Sequence, residues 1–400
     1  MSASRTIPIF AAQAASRPSQ LEFRVSPPLA LYVHVPWCVQ KCPYCDFNSH
    51  EANGQIPERQ YVDALIADLQ SALPLIWGRP VVSVFFGGGT PSLLSPAAVD
   101  ELITAFRTLA MLAPDAEITL EANPGTVEAE KFAGFRAAGV NRLSLGIQSF
   151  NDEHLKALGR IHGADEAKRA AQLAGEHFPA FNLDLMYGLP GQTLDQALSD
   201  VETALDFKPA HLSCYQLTLE PNTRFAAFPP ELPESDTCAD MQEAIEARLA
   251  AAGFSNYETS AFAQRGKQCR HNLNYWYFGD YLGIGAGAHS KLTLHDRVLR
   301  QMRWKHPKAY LDNIRNGNPV QEETQVEAKS LPFEFMMNAL RLADGFHPSL
   351  FEARTAQSLI GIQSELKAAE TDGLLIVGPE KIAPTAKGRR FLNVLLERFL

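Results

Sequence analysis

Six short runs rich in β-branched and aromatic residues alternate with helical stretches after Leu31, and this alternation constrains the fold most. The runs are LYVHV, VVSVFF, EITLEA, RLSLGIQ, NLDLMY and HLSCYQL. Nearly continuous apolar strands are typical of a parallel sheet covered on both faces. Helix starts lie between them, such as Ser95-Pro96 before AAVDELITAF and Thr126 before VEAEKFAGF. Six β/α units fall short of the eight of a complete barrel. The sequence therefore predicts an α/β fold with an open (β/α)6 partial TIM barrel.

Composition limits the class of protein further. Of the 400 residues, 46% are hydrophobic and 20% are charged, as in globular proteins of two to three domains. The longest apolar runs, such as Val81–Phe86, are far shorter than the ~20 residues that a membrane span needs. The net charge of −9 argues against nucleic acid as a partner. We expect a cytoplasmic protein without a transmembrane segment.

Four regions are predicted along the chain. Residues 1–29 are expected to form a flexible tail, although Arg5 and Arg17 in a Ser/Ala-rich opening without acids also suit a transit peptide. Residues 30–250 would form the partial barrel and 251–325 a linking region. Residues 326–400 read as an α+β region with helices, a β-hairpin turning at Pro379 and a last helix. This pattern resembles a winged-helix-like cap, with too short a basic stretch to favour DNA binding.

The six cysteines are unevenly distributed. Three fall within eight residues in WCVQKCPYC, namely Cys38, Cys42 and Cys45, and the others are scattered at Cys214, Cys238 and Cys269. The spacing C-x3-C-x2-C lets three thiolates hold an iron-sulfur cluster or a zinc ion. A zinc ion would need a fourth ligand such as His34 or His50, and chance clustering of thiols is a further alternative. Three cysteines on a 4Fe-4S cube leave one iron free to bind a small chelating molecule.

Polar residues recur where the predicted strands end. The turn GGGTPS, Gly87–Ser92, follows VVSVFF, and its glycines remove the Cβ atoms that would keep a ligand from the backbone. The turn lacks the spacing of G-x-G-x-x-G and the lysine of a P-loop, and a plain tight turn is the alternative. Glu121 and Gln148 end the third and fourth strands, and Asp184 lies in the fifth. Single acids at strand ends are often caps, but their recurrence favours a site at the carboxyl edge.

The segment RHNLNYWYFGDYLGIGAGAHS is unusually rich in aromatic residues and glycine. Its two histidines are His271 and His289. A buried packing segment with a hydrogen-bonded histidine is one interpretation. A ligand-binding surface is the other.

The stretch HVPWCVQKCPYC resembles the cluster loop of the radical S-adenosylmethionine superfamily, including Tyr44 before the third cysteine. The resemblance covers nearly all of residues 30–400. It implies the same partial barrel. It also implies a 4Fe-4S cluster on Cys38, Cys42 and Cys45, with the amino and carboxylate groups of S-adenosylmethionine on the open iron.

Within that superfamily the chain is similar to the anaerobic coproporphyrinogen III oxidase-like family. The match implies two adjacent S-adenosylmethionine sites. The first is made by Tyr32, Gly88, Gly89, Thr90 and Glu121, and the second by Gln148, Arg160, Asp184 and Thr218. Carboxylates can accept hydrogen bonds from ribose hydroxyls, and an arginine can pair with a carboxylate.

Three features favour the haem chaperone branch of this family. The oxidase branch has another cysteine two positions after the third ligand, where this chain has Phe47. The segment before Cys38 is also shorter than in the oxidases. HNLNYW matches the H-N-x-x-Y-W signature of the chaperone branch, which implies that His271 binds haem iron while Tyr275 and Trp276 lie against the macrocycle.

The implied function is to bind haem and deliver it to acceptor haem proteins, including membrane-bound respiratory ones. An enzymatic role is the less favoured alternative, as an oxygen-independent coproporphyrinogen III oxidase or another radical S-adenosylmethionine enzyme. The chain lacks C-x-x-C-H, so c-type haem attachment is not predicted. We expect a monomer or a homodimer.

Overall fold

A computed structural model describes residues 21–52, 54–126 and 129–400. In these ranges the strands are β1 (Leu29–Val35), β2 (Trp37–Cys38), β3 (His50–Glu51), β4 (Pro80–Gly88), β5 (Met111–Ala122), β6 (Arg142–Gln148), β7 (Phe181–Tyr187), β8 (His211–Gln216), β9 (Ser255–Asn256), β10 (Ala261–Ala263), β11 (Asp280–Ile284), β12 (His289–Thr293), β13 (Val298–Arg303), β14 (Val320–Gln325), β15 (Leu375–Val377) and β16 (Ile382–Pro384). The α-helices of the same ranges are α1 (Glu58–Ile76), α2 (Pro96–Leu109), α3 (Ala129–Ala138), α4 (Asp152–Ala157), α5 (Ala164–His177), α6 (Leu194–Asp206), α7 (Arg224–Ala227), α8 (Ser235–Ala251), α9 (Arg270–Trp276), α10 (Pro307–Arg315), α11 (Leu331–Ala339), α12 (Pro348–Thr355), α13 (Gln363–Thr371), α14 (Ala386–Arg390) and α15 (Leu392–Leu396). None of the described helices is long and apolar enough to cross a membrane.

Twelve strands form one sheet in the order β14-β13-β12-β11-β1-β4-β5-β6-β7-β8-β10-β9. Its central strands β1, β4, β5, β6, β7 and β8 are neighbours and run parallel. They contain the six runs singled out in the sequence. The predicted α/β partial barrel of six β/α units is therefore confirmed.

The sheet continues beyond these six strands on both sides. Strand β11 pairs parallel with β1, and β12, β13 and β14 follow in antiparallel order. Beyond β8 lie the antiparallel strands β10 and β9. The segment 251–325 was expected to be a linking region, but it contributes six strands to the main sheet.

The C-terminal region has a hydrophobic cluster of its own. Phe335 lies at its centre, with ring centroids 4.9 Å from Phe346 and 5.3 Å from Phe351. Strands β15 and β16 form the expected antiparallel hairpin, with helices before and after it.

The predicted tail, residues 1–29, ends earlier than expected. Leu21 and Phe23 pack against the C-terminal cluster, and the Phe23 N–H donates to the His295 carbonyl over 2.9 Å. Leu29 already belongs to β1. Because these apolar side chains find a buried surface, residues 21–29 are part of the fold. The possible transit segment, residues 1–20, lies outside the described residues.

Side chains of the parallel strands alternate between two environments. On β1, Leu31 and Val33 belong to the large core that the helices cover, and on β7 Leu183 does the same. The alternate positions carry polar groups, such as Tyr32 on β1 and Asp184 on β7. The concave face of the barrel is therefore polar, and its upper edge is where a site can form.

Asp68, on α1, connects the barrel to the β11–β14 side of the sheet by hydrogen bonds. Its Oδ1 accepts from Arg303 Nε over 3.0 Å, and its Oδ2 accepts from Tyr310 Oη over 2.9 Å and from the Gly285 N–H over 3.1 Å. The side chains of Asp68 and Arg303 are at most 1% exposed. This network joins α1 to β13, to α10 and to the loop after β11.

We predict that Asp68→Ala destabilises the protein by about 3–5 kcal/mol, because it leaves Arg303 buried without its counter-ion. Urea unfolding followed by circular dichroism measures the loss. Asp63→Ala is the matched control, since Asp63 lies on the same helix in an exposed pair with Arg59. Equal losses in both variants would contradict the role given to the Asp68 network.

Candidate functional site

The cysteine loop is closed by backbone contacts at both ends. Strands β2 and β3 pair parallel, and the Ala52 N–H donates to the Cys38 carbonyl over 2.8 Å. Lys41 Nζ donates to the carbonyls of Phe47 and Ser49 over 3.2 Å each. The loop between the first and third cysteines is thereby folded into a compact turn.

Cys38, Cys42 and Cys45 are free, half-buried thiols. Burial raises the pKa of Cys38, with the hydrogen bond to Thr90 as the largest opposing effect. Burial likewise raises the pKa of Cys45, opposed mainly by a hydrogen bond with the Phe47 backbone. Without a bound metal these two thiols hold their protons at neutral pH, so metal binding must displace them.

These three thiols share one cavity of about 490 Å³ with the Gly-rich turn and the ends of the parallel strands. Within the described ranges no three His, Cys, Asp or Glu side chains converge closely enough to hold a single metal ion. Three cysteine thiols in one cavity are a donor set that an iron-sulfur cluster can take. The donor set therefore fits the expected 4Fe-4S cluster.

The glycines after β4 are required by packing. Gly88 has φ +112°, and a Cβ atom there would lie 2.6 Å from the His34 ring. A Cβ atom on Gly89 would lie 2.5 Å from the Trp37 carbonyl oxygen. The turn is held by the Gly89 N–H, which donates to Val35, and by the Thr90 N–H, which donates to Trp37. The turn can lie against the cysteine loop only because these side chains are missing.

Most of the remaining cavity wall comes from the carboxyl ends of successive strands, with Arg160 added from the loop between α4 and α5. It contains five of the residues expected to contact S-adenosylmethionine: Glu121, Gln148, Arg160, Asp184 and Thr218. Gly88, Gly89 and Thr90 also line the cavity, so eight of the nine expected residues meet there. Parallel strands bring their carboxyl ends to one edge, which is why positions so distant in sequence share this wall.

Two carboxyl groups of this wall have perturbed acidities. Burial, together with the charge of Asp184, raises the pKa of Glu121 to about 8. Burial also raises the pKa of Asp184, which accepts hydrogen bonds from Ser144 Oγ over 3.0 Å and from Asn182 Nδ2 over 2.7 Å. At neutral pH Glu121 therefore carries a proton for much of the time and can donate as well as accept a hydrogen bond.

Arg160 makes a contact that the sequence did not reveal. Its Nη1 donates to Cys42 Sγ over 3.5 Å and its Nη2 donates to the Gly146 carbonyl over 2.8 Å. Its buried Nε has no hydrogen-bond partner in the described part of the chain. The guanidinium expected to pair with a ligand carboxylate thus also lies against a predicted cluster ligand.

Tyr32 is the expected residue that does not line the cavity. Its Oη donates to His34 Nδ1 over 3.1 Å, and His34 Nε2 donates to the Asn48 carbonyl over 2.8 Å. Asn48 in turn donates through Nδ2 to the carbonyls of Ala286 and Lys305, each over 2.9 Å. The sequence analysis missed Asn48, because no local pattern indicates that an asparagine three positions after Cys45 attaches the cysteine loop to the segments of Ala286 and Lys305.

His271, on α9, lies next to Tyr32 and, like Tyr32, does not line the cavity. Its ring centroid is 4.9 Å from that of Phe85 and 6.5 Å from that of Tyr32. Its Nδ1 lies 3.1 Å from Ser83 Oγ, whereas within the described ranges Nε2 has no hydrogen-bond partner. Burial lowers the pKa of His271 to about 4. The imidazole is therefore neutral at physiological pH, as an iron ligand must be.

Tyr275 and Trp276, the other residues expected to contact haem, form a separate aromatic cluster with Tyr281. The Tyr275 ring lies 5.2 Å from Trp276 and 5.1 Å from Tyr281, and 40% of Tyr275 is exposed. The buried indole N–H of Trp276 has no acceptor among the described residues, and Arg341 lies over its ring at 5.4 Å. His289, the other histidine of this segment, is exposed at the start of β12.

Known proteins match this chain over nearly its whole length. The model of the radical SAM superfamily matches residues 32–204, and that of the HemN C-terminal domain matches residues 326–391. The radical SAM family implies a 4Fe-4S cluster and S-adenosylmethionine.

A protein of Escherichia coli named "Heme chaperone HemW" is 51% identical over 94% of this chain and 98% of its own length. The protein of the same name from Haemophilus influenzae is 48% identical over the same shares of the two chains. A solved structure of coproporphyrinogen III oxidase (HemN) from Escherichia coli, described as a radical SAM enzyme, superposes with a TM-score of 0.80. It is 26% identical and covers 94% of this chain and 90% of its own. The chain therefore belongs to the HemW family of the radical S-adenosylmethionine superfamily.

Proposed function

We propose that this protein is a haem chaperone, which binds haem and delivers it to acceptor haem proteins. The observation that carries the proposal is the near-full-length match to proteins named for that role. The neutral, partly buried imidazole of His271 supports it, because such a nitrogen can bind haem iron. Membrane-bound respiratory proteins are the acceptors we propose. The protein would act as a monomer or a homodimer.

The cytoplasm is the compartment we propose for this activity. All six cysteines are free, and three of them share the cavity of the proposed cluster. Thiols persist in reducing compartments, whereas disulfides form in oxidising ones.

Cys38, Cys42 and Cys45 would hold the 4Fe-4S cluster in this proposal. The cluster, when bound, supplies an iron with an open position and a single electron. The Gly88-Gly89-Thr90 turn offers backbone groups to the amino group of S-adenosylmethionine. Glu121 and Asp184 offer hydrogen bonds to ribose hydroxyls, and a cationic sulfonium nearby favours their ionised forms. Tyr32 would act from outside the cavity, through its hydrogen bond to His34.

Catalysis of coproporphyrinogen oxidation is the second candidate. It is favoured by the eight expected S-adenosylmethionine residues in one cavity and by the structural similarity to HemN. Against it stands Phe47, which lines the same cavity with 60% of its surface exposed. Phe47 occupies the position of the extra cysteine expected in the oxidase branch and cannot perform thiol chemistry. We therefore place the chaperone function first.

The three-cysteine assignment predicts how iron content responds to mutation. Cys38→Ser, Cys42→Ser or Cys45→Ser should each abolish the binding of about four irons per chain after anaerobic reconstitution, because the three thiolates are the protein ligands of the cluster. Iron and sulfide assays together with the visible spectrum measure this. Cys214→Ser and Cys269→Ser are the controls and should bind iron like the unaltered chain. Iron loss in either control would refute the three-ligand assignment.

The chaperone function predicts no decarboxylation of coproporphyrinogen III. The reconstituted protein, incubated anaerobically with coproporphyrinogen, reductant and S-adenosylmethionine, should yield no protoporphyrinogen by chromatography, because Phe47 replaces the cysteine. Several turnovers per chain would overturn the chaperone assignment. Cleavage of S-adenosylmethionine to 5′-deoxyadenosine would not contradict the assignment, because an intact cluster can react without substrate.

His271 as the haem ligand predicts a spectroscopic change. His271→Ala should lose the shifted Soret band of the haem complex and keep its iron content and far-ultraviolet circular dichroism. If His271 only packs against its neighbours, His271→Ala should keep the shifted Soret band. In that case thermal stability would fall by about 1–3 kcal/mol through the broken hydrogen bond, and haem affinity would be unchanged. His289→Ala is the control, and loss of the Soret shift in this variant alone would move the assignment to His289.

A further inference from the structure

A second cavity, of about 800 Å³, lies between α9 and the C-terminal region. Helix α9 contributes Arg270, Leu273 and Asn274, and its C-cap residue Tyr277 continues the three- and four-residue spacing of one helix face. His271, Tyr275 and Trp276 do not line it. The volume falls in the range of small-molecule sites, roughly 300–1,000 Å³. The cavity is thus separate from both the cluster cavity and the residues of the haem motif.

Arg354, on α12, lines this cavity and forms no ion pair within 4.0 Å among the described residues. Its Nε donates to the Tyr277 carbonyl over 3.4 Å, and in the described part of the chain its two Nη atoms have no partner. The other basic side chains of the wall are compensated. Arg270 lies 3.2 Å from Asp115, Lys381 lies 3.1 Å from Asp344, and His347 lies 3.4 Å from Glu380.

Two further cations, Lys291 and Arg79, are paired with the buried carboxylate of Asp280, which also attracts Arg354. Asp280 is paired with Lys291 at 2.9 Å and with Arg79 at 2.8 Å. Arg79 is only 12% exposed, and its Nε and Nη1 have no hydrogen-bond partner among the described residues. Burial lowers the pKa of Arg354, and although Asp280 opposes this, the charge of Arg79 adds to it. Lys291, Arg79 and Arg354 therefore share the influence of one carboxylate, that of Asp280, and Arg354 is the one of the three that lines the cavity.

The wall also carries the polar side chains of Asn274 and Ser349, the carboxylates Asp344 and Glu380, and an apolar or aromatic part. It includes Val82, Leu273, Tyr277, Phe346 and Leu350. A ligand that matches this wall has a flat or apolar body and at least one carboxylate, because a partly buried guanidinium binds a carboxylate through charge-assisted hydrogen bonds. Porphyrins with free propionates have this chemistry. A small inorganic anion would leave the apolar wall uncovered.

We propose that this cavity is a second porphyrin-binding site, on the other face of α9 from His271, which holds propionate carboxylates at Arg354. The proposal rests on the proposed haem function for the identity of the ligand. The iron plays no part in this site, so metal-free porphyrin binds it as haem does.

The test uses the full-length chain, reconstituted anaerobically, and protoporphyrin IX as the probe, with binding followed by porphyrin fluorescence. Arg354→Gln should weaken binding about tenfold or more, as the loss of a charge-assisted hydrogen bond does. Arg136→Gln is the matched control, because Arg136 also donates to a single backbone carbonyl, that of Val140. Protoporphyrin dimethyl ester, whose carboxylates are blocked, should bind the unaltered chain as weakly as the acid binds Arg354→Gln. Ala353→Trp, an exposed position on the cavity wall, should block binding without removing charge.

The outcomes distinguish a failure of this second site from a failure of the proposed haem function. Equal binding of the acid and the ester, or equal binding by the unaltered chain and both variants, would overturn the second site. Haemin that still gives the His271-dependent Soret shift in those experiments would leave the proposed function standing. A chain that binds neither haemin nor protoporphyrin would overturn both proposals. Circular dichroism and iron content are measured for each variant to check that it is folded.

Discussion

Two hydrogen bonds to one imidazole connect the parts of the site. His34 Nε2 donates to the Asn48 carbonyl over 2.8 Å, which leaves Nδ1 as the acceptor for Tyr32 Oη at 3.1 Å. Burial lowers the pKa of His34, so the neutral ring with the proton on Nε2 is the form that the site uses. Through Asn48 this imidazole holds the cysteine loop, and through Tyr32 it reaches α9. The Gly88 Cα passes so close to the ring that no side chain fits there.

The position of β1 explains why one histidine can have this role. Strand β1 lies between β4 and β11 and pairs parallel with both. On one side it meets the Gly-rich turn after β4, and on the other it meets the loop after β11, where Ala286 accepts from Asn48. The buried network of Asp68 fixes that loop through the Gly285 N–H. Polar groups inside the barrel are therefore positioned by the extension of the sheet as well as by the barrel itself.

The sequence predicted the six parallel strands because each has its own local signals, a buried apolar run and a helix start such as Ser95, which accepts from the Ala98 N–H over 3.1 Å. It could not predict β11 beside β1, since that pairing joins Leu29 to Asp280 across most of the chain. The cavity residues came together as expected because parallel strands share a carboxyl edge. Tyr32 and Arg160 differed from expectation because their surroundings depend on three-dimensional packing. Tyr32 does not line the cavity, and Arg160 reaches Cys42 from a loop that no sequence pattern positions.

The retention of S-adenosylmethionine-matching residues in a chain proposed to carry haem has a physical basis in this packing. Tyr32 contacts His271 on one side, and on the other it experiences the charge of Glu121, which lines the cluster cavity. Protein interiors are close-packed, so a residue between two sites cannot be changed for one without disturbing the other. Strands β1 and β4 therefore serve both sites, because Tyr32 and Phe85 on these strands also lie against His271 of α9. Loss of Tyr32 would disturb the surroundings of His271 together with those of Glu121.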